Sequence, residues 1–396
     1  VRVGLNLFFM NPQAGGAGTY ARELIPAMLA AEPSLRLTAF VCSEVPDDMT
    51  DAPWAASVDW VRFPLTVTHG PPGTFVLNGA AQWLAEPAIA LRRRLDVVHG
   101  LANFAPLWQP RAASVVTLLD LIWLRFPTTM DKRATTGMKL TAIPSARRAD
   151  RVIAISHAAK ADIVESIGLD PATIDVTQLG VRVDPAAPAD EGALRERLGL
   201  RDRHVILCVA QKRVHKNLTG LVRAVAALGR EDTVLVLVGS PTPHEQELRD
   251  LAAELGVADR VVFPEWLADA DLEGLYRLAR AFALPSFEEG FGLPILEAMA
   301  RDLPVACSDV SSLPEVAGDA AELFDPRDPA SIAAALGRLL DATDERRAEL
   351  VALGRARCEH FTWDATARAT LDCYRRAIEG KQSASLRTRL SRSRRV

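Results

Sequence analysis

Two carboxylates bracket a glycine-rich turn in Phe287-Glu288-Glu289-Gly290-Phe291-Gly292-Leu293-Pro294-Ile295-Leu296-Glu297. A carboxylate offers two acceptor oxygens and can hold a pair of vicinal hydroxyls, and a glycine turn lets backbone N–H groups approach an anion closely. Pro294 suits a first helical position, where the N–H it lacks would have no intrahelical partner, and Leu296, Met299 and Ala300 continue an apolar helical face. The spacing predicts a helix opening at Pro294, with Glu297 in its first turn, Glu289 just before the glycines, and the amides of Gly290 to Leu296 forming an anion site. Acids around a phosphate-sized nest suit a ligand with phosphate and sugar rings, such as a nucleotide sugar. The competing reading has Glu297 complement the helix dipole and Glu289 lie solvated on a loop.

A second cluster, Ala210-Gln211-Lys212-Arg213-Val214-His215-Lys216-Asn217, falls between a strand pattern and a helix pattern. This is the edge where open α/β sheets bind ligands. When a phosphate leaves a sugar, negative charge grows on it, and Lys or Arg in a dry cleft stabilises that charge most as the bond breaks. Lys216 and Arg213 are the candidates for this task. The competing reading, a solvated basic loop, sets cations against the positive end of a helix dipole.

The run from Pro285 to Ala298, Pro-Ser-x-x-Glu-Gly-Phe-Gly-Leu-Pro-x-x-Glu-Ala, resembles the Glu-x7-Glu motif of retaining GT-B glycosyltransferases of the family-4 group. The resemblance implies that Glu289, with Gly290, Phe291, Gly292 and Leu293, holds the donor sugar and that Glu297 holds the ribose hydroxyls; Glu289 and Lys216 are the catalytic candidates it supports, and Arg213 joins them on its charge and place in the loop alone. Lys216 and Asn217 match the family's Arg-Lys-Asn, whereas His215 replaces its arginine and Gln211 stands where many members have another. Gly16, Gly18 and Tyr20 match a Gly-x-Gly-x-Tyr pattern, which implies a place on the donor-phosphate and acceptor side; a tight turn with positive φ explains Gly18 as well. Ser308 to Gly318 is also similar to the family. Two departures stand out: Leu119 precedes Asp120 where the family commonly has a histidine, and Trp266 follows Glu265 where a glycine is usual. The implied reaction is metal-free, cofactor-free transfer of a sugar from a nucleotide-sugar donor to a carbohydrate, lipid-linked or small-molecule acceptor. The alternative is a sugar-nucleotide-binding protein with weak or lost chemistry. A nicotinamide-dependent oxidoreductase would use the Gly16 loop, but the third glycine of that fingerprint is absent.

These residues must be positioned by alternating strands and helices, an α/β chain of two doubly wound Rossmann-like domains facing across a cleft. Strand patterns fall at Val1 to Phe9, Arg36 to Cys42, Asp96 to His99, Ser114 to Leu119 and Arg151 to Ile155, with a helix from Tyr20 to Ala31 and a loop-rich stretch from Pro46 to Pro87 around Pro71-Pro72-Gly73. The expected first domain is 1–183, followed by a Pro/Ala linker over 184–203. The second, 204–360, carries strands at Val205 to Val209, Thr233 to Val238, Val261 to Phe263, Ala281 to Pro285 and Pro304 to Cys307. A helix over 361–378 resembles one that crosses back to the first domain in the family. The acid-poor tail 379–396 is expected to be disordered. A basic helical stretch, Met130 to Ala149, reads as a solvated face or a weak membrane-surface contact.

The composition supports a soluble catalyst of small molecules. The chain has 396 residues, 49% hydrophobic and 24% charged, with a net charge of -4 that argues against nucleic acid as the main partner. Five scattered cysteines without a CxxC indicate neither disulfides nor zinc, so a reducing cytoplasm is expected. Asp269-Ala270-Asp271 imitates a metal motif but opens a helix pattern, where aspartates cap amides. His69, His99, His157 and His244 lack zinc spacing and read as structural or exposed.

Overall fold

A computed structural model describes residues 1–12, 14–66, 81–127, 132–183, 187–264 and 267–393. His69, the Pro71-Pro72-Gly73 turn, Met130, Asp184 to Ala186, Glu265 and Trp266 lie outside the described residues. The chain forms two compact units: Val1–Leu124, Lys132–Leu179 and Trp363–Val396 make one, and Arg125–Asp131 with Gly180–Thr362 make the other.

The first unit is built on a seven-stranded parallel sheet: β1 Arg2–Asn6, β2 Arg36–Val41, β3 Val58–Arg62, β4 Val97–Gly100, β5 Ala113–Leu118, β6 Arg151–Ala154 and β7 Ile174–Val176. Their order is β3-β2-β1-β4-β5-β6-β7. The second unit holds β8 His204–Val209, β9 Thr233–Val238, β10 Val261–Val262, β11 Ala281–Leu284, β12 Val305–Ser308 and β13 Ala321–Phe324, ordered β10-β9-β8-β11-β12-β13. Each sheet starts in its middle, winds outward and restarts on the other side. A crevice therefore opens at the carboxyl ends where the order reverses, between β1 and β4 in one and between β8 and β11 in the other. The strands are near-continuous Val/Ile/Leu/Ala runs because helices cover both faces. In the second unit Val234 to Leu237 and Ala281 to Leu284 are at most 1% exposed and pack under the helices Leu218–Leu228 and Pro329–Leu340.

Several expected boundaries move. The helix after β1 runs over Gly15–Ala31, so Gly16 and Gly18 lie in its first turns, and the positive φ expected at Gly18 falls on Gly15 at 55°. β3 forms inside the stretch read as loop, because β2 offers it a full parallel partner from Leu37 to Val41. The expected linker is mostly structured: the helix Glu191–Arg197 buries Leu194, and the Ala189 amide donates to the Ala270 carbonyl. The tail read as disordered continues the last helix, Trp363–Ser393, which packs on the Gly15–Ala31 helix and β5. Lys381 donates to Asp150 at 3.2 Å there and Arg376 pairs with Asp175 at 3.0 Å, acids that the local sequence does not supply. The other basic stretch forms the helix Lys132–Arg148 with Lys139 and Leu140 exposed. No helix among the described residues is long and apolar enough to cross a membrane, and all five cysteines are buried free thiols.

Candidate functional site

Three consecutive loops at the carboxyl ends of β8, β11 and β12 form the candidate site. After β8, residues 210–217 tighten into a 3-10 turn at Val214–Lys216 and reverse at Asn217, whose φ of 52° is tolerable for asparagine. Its side chain caps the helix Leu218–Leu228 by accepting the Gly220 amide at 3.2 Å. Its Nδ2 donates to the Pro285 carbonyl at 3.1 Å and the Pro326 carbonyl at 2.7 Å. Both amide hydrogens of Asn217 therefore clamp protein, and Asn217 positions the loop rather than reaching a ligand with them. The Phe287 amide donates to the His215 carbonyl at 2.8 Å, which ties the first loop to the second.

That tie delivers Lys216 to Glu289. The ammonium Nζ lies 2.7 and 2.8 Å from the two carboxylate oxygens, in a pair that is mostly buried. Ser286 donates to Glu289 Oε1 at 2.7 Å. The third loop braces the same residue through its backbone: Ser311 and Ser312 donate to the Glu289 carbonyl at 2.8 and 3.0 Å, and Ser312 also to the Phe291 carbonyl at 2.8 Å. A charge pair held on both sides by hydroxyls in a half-dry crevice has fixed geometry before any ligand arrives. The serines were legible only as letters: Ser286 is the Ser of Pro-Ser-x-x-Glu, and Ser311-Ser312 falls in the similar 308–318 segment.

The turn itself is set by Gly292, whose φ of 105° excludes a side chain; a Cβ there would also come within 2.6 Å of Leu313. Gly292 caps the helix Leu293–Met299, which opens one residue before Pro294. Phe291 is 3% exposed and meets Phe361 edge to face, so it offers a ligand its backbone while its ring anchors the loop. Glu297 is half-buried and accepts the Tyr276 hydroxyl at 3.3 Å; burial pushes its carboxyl above the ordinary range. Arg301, beside it, is engaged by Glu273 and lies over the Tyr276 ring.

The remaining basic residues divide. Arg213 donates to Gln211 at 3.0 Å on its own loop. Lys212 is 1% exposed, donating to the Gly239 carbonyl at 2.5 Å and pairing with Glu245 at 3.2 Å, so it is a structural clamp. His215, in the family's arginine position, is buried and uncharged, its pKa pushed down to about 4 first by burial and then by Lys216. The solvated-loop reading of this stretch fails for both.

In the first unit, Gly16 and Gly18 lie in the helix that follows β1, and Leu119 follows β5, two strands away in the sheet. The Leu119 amide donates to Asn103 Oδ1 at 3.0 Å, which fixes the chain before Asp120. Tyr20 is buried with its hydroxyl 3.3 Å from Thr117, and His99 bridges Thr117 at 2.8 Å and Tyr374 at 2.7 Å. These are core contacts. His244 pairs with Glu247. Asp271 caps the Ala268 amide and pairs with Arg197 at 2.5 Å, consistent with a helix opening rather than an ion site. Arg125 was not anticipated: its guanidinium lies 3.2 Å from Glu288, next to Glu289 in the site loop.

Residues 190–357 match the family model described as Glycosyl transferases group 1, and residues 14–185 match that described as Glycosyltransferase Family 4. The chain is 31% identical to the MMP alpha-(1->4)-mannosyltransferase of Mycolicibacterium hassiacum, over 96% of this chain and 98% of the relative. It is 36% identical to the D-inositol 3-phosphate glycosyltransferase of Acidothermus cellulolyticus over 62% of this chain, and so spans 57% of that relative's length. Among solved structures, sucrose-phosphate synthase from Thermosynechococcus elongatus superposes with a TM-score of 0.76 at 23% identity, over 94% of this chain and 98% of that one. HepE of Anabaena in complex with UDP and glucose gives 0.72 at 19% identity, with the same coverage.

Proposed function

Because the chain belongs to the glycosyl transferases group 1, a family of GT-B fold, we propose that it transfers a sugar from a nucleotide-sugar donor to an acceptor hydroxyl, with retention of configuration and without a metal. The observation that carries this reading is the Lys216–Glu289 pair, flanking the crevice between β8 and β11 beside the Gly290–Gly292 turn.

The pair suggests how a donor is received. Without a ligand, Lys216 and Glu289 neutralise each other. A diphosphate entering by the turn competes for the ammonium, and each lysine N–H it takes releases carboxylate lone pairs to accept sugar hydroxyls. As the bond from the anomeric carbon to the phosphate oxygen lengthens, charge accumulates on that oxygen, so Lys216 binds the transition state more strongly than the ground state. Glu297, at the start of its helix, accepts ribose hydroxyls, in exchange for the single hydrogen bond from Tyr276. Asn217, Ser286, Ser311 and Ser312 hold these groups in place. Arg213 contributes charge at the loop's rim.

The test is turnover on a panel of UDP- and GDP-sugars, read as release of nucleoside diphosphate. Mannose donors are included because the full-length relative is named a mannosyltransferase, and inositol phosphate is included among the acceptors because another relative's name carries it. Turnover that is unchanged by EDTA and requires Lys216 is expected. Donor binding without turnover across the panel would support the binding-protein alternative, and loss of activity in EDTA restored by magnesium or manganese would overturn the metal-free mechanism.

A further inference from the structure

The amino-terminal ends of β1 to β3 border an open pocket of about 550 Å³ lined by Arg2, Arg36, Thr38, Ser57, Asp59 and Arg93, with Leu95 at its apolar floor. Ligand crevices of parallel sheets lie at the carboxyl ends, so this cavity is on the opposite edge of its sheet and belongs to none of the loops described above. Arg2 and Arg36 are direct partners in the parallel ladder. Paired residues of neighbouring strands project from the same face at a strand spacing of about 4.8 Å, and like charges so placed repel. Among the described residues neither guanidinium forms an ion pair or hydrogen bond. Asp96, the adjacent acid, accepts the Arg2 backbone amide at 2.8 Å. Asp59 is paired with Arg93, which also donates to Thr38 at 3.4 Å. Even with Asp96 beside them, the three arginines of the lining outnumber its acids.

We propose that this pocket is an accessory binding site for a phosphorylated small molecule, whose phosphate bridges Arg2 and Arg36 and whose body lies toward Thr38 and Leu95. A phosphate dianion matches the uncompensated charge, its oxygens accept from two guanidinium forks at once, and it removes the repulsion across β1 and β2. Thr38 and Ser57 supply hydroxyls for the rest of the ligand. The volume is that of an ordinary small-molecule pocket.

The experiment is calorimetric titration of inorganic phosphate at low ionic strength in a Lys216→Ala background, so that the proposed donor site does not contribute. Arg36→Gln and Arg2→Gln are then added separately; both residues are exposed at strand starts, and circular dichroism confirms the fold of each. Saturable phosphate binding in the background, weakened about tenfold or more by either added change, is expected. No saturable binding in the background, or binding untouched by both added changes, overturns the proposal. Because the background lacks Lys216, the result is independent of whether Lys216 serves catalysis, which turnover reads separately.

Discussion

Lys216 and Glu289 can be separated by substitution. Lys216→Ala is expected to lower turnover by about 10² to 10³, because it removes charge stabilisation at the departing phosphate. It also leaves Glu289 mostly buried with only Ser286 on its carboxylate, so some loss of thermal stability should accompany it. A variant with full turnover would remove Lys216 from the chemistry. Glu297→Ala is expected to weaken nucleoside diphosphate binding by roughly 1 to 3 kcal/mol through the unpaired ribose hydroxyls. Calorimetry reads this, and unchanged affinity would place the ribose elsewhere. Leu119 poses a different question, since it presents an apolar side chain where the family carries a histidine. Leu119→His is expected to shift donor or acceptor preference in an enzyme already active, because a pocket without a hydrogen-bond partner disfavours a buried hydroxyl. Turnover in the histidine variant alone would show that the natural chain is a binder.

At the scale of elements, the candidate site depends on loops that hold one another. Asn217, on the loop after β8, caps the helix that follows it and clamps the Pro285 carbonyl after β11 and the Pro326 carbonyl after β13. Asn217→Ala should therefore cost about 1 to 3 kcal/mol of stability, the sum of a lost cap and two unsatisfied carbonyls discounted for relaxation. Turnover should fall with it, because the Lys216 turn is no longer fixed to the Glu289 loop. Denaturant unfolding checks the first and kinetics the second. A loss of stability with kcat intact would show that the clamp supports the fold alone. The helix Leu293–Met299 was readable from Pro294 and its apolar spacing. The bracing of its entrance by Ser311 and Ser312 depends on the register of β11 against β12, which no local pattern states.

For the whole molecule, buried titratable groups set how stability follows pH. Burial holds His99 down at about 3 and His215 at about 4, against an ordinary value of 6.5. Their contribution is complete above about 6.5 and is lost as pH falls toward 4, because the unfolded chain takes up protons that the fold refuses. Glu86, fully buried with a hydrogen bond from Asn6 at 2.7 Å, is pushed by burial up to about 8 from 4.5. Its folded carboxyl keeps a proton that the unfolded chain releases, so this contribution is complete below about 4.5 and is lost as pH rises through 8. The histidines favour the fold toward higher pH and Glu86 toward lower pH, so the melting temperature should pass through a maximum between these two ranges. Glu86→Gln keeps the shape without the ionisation, so its peak should move to higher pH and the alkaline decline should shrink. Identical profiles for the two proteins would show that Glu86 does not titrate on unfolding.

The sequence by itself determined the alternation of strands and helices and the division into two doubly wound units, and it marked Glu289, Lys216, Gly292 and Glu297 as candidates through their types, their spacing and their likeness to a family motif. The elements rest on local physics: hydrophobic runs of strand length and a proline at a helix start. Tertiary structure decided what each side chain touches. It placed Lys216 on Glu289 across 73 positions of chain, spent the amide of Asn217 on two distant carbonyls, and turned Lys212 and His215, in a stretch that read as basic and ligand-facing, into buried residues. It also made a helix of the basic tail and a strand of β3, whose partners come from elsewhere in the chain. Hydrogen bonds and burial across long sequence separations depend on strand order and register, and these are settled only when the whole sheet is assembled.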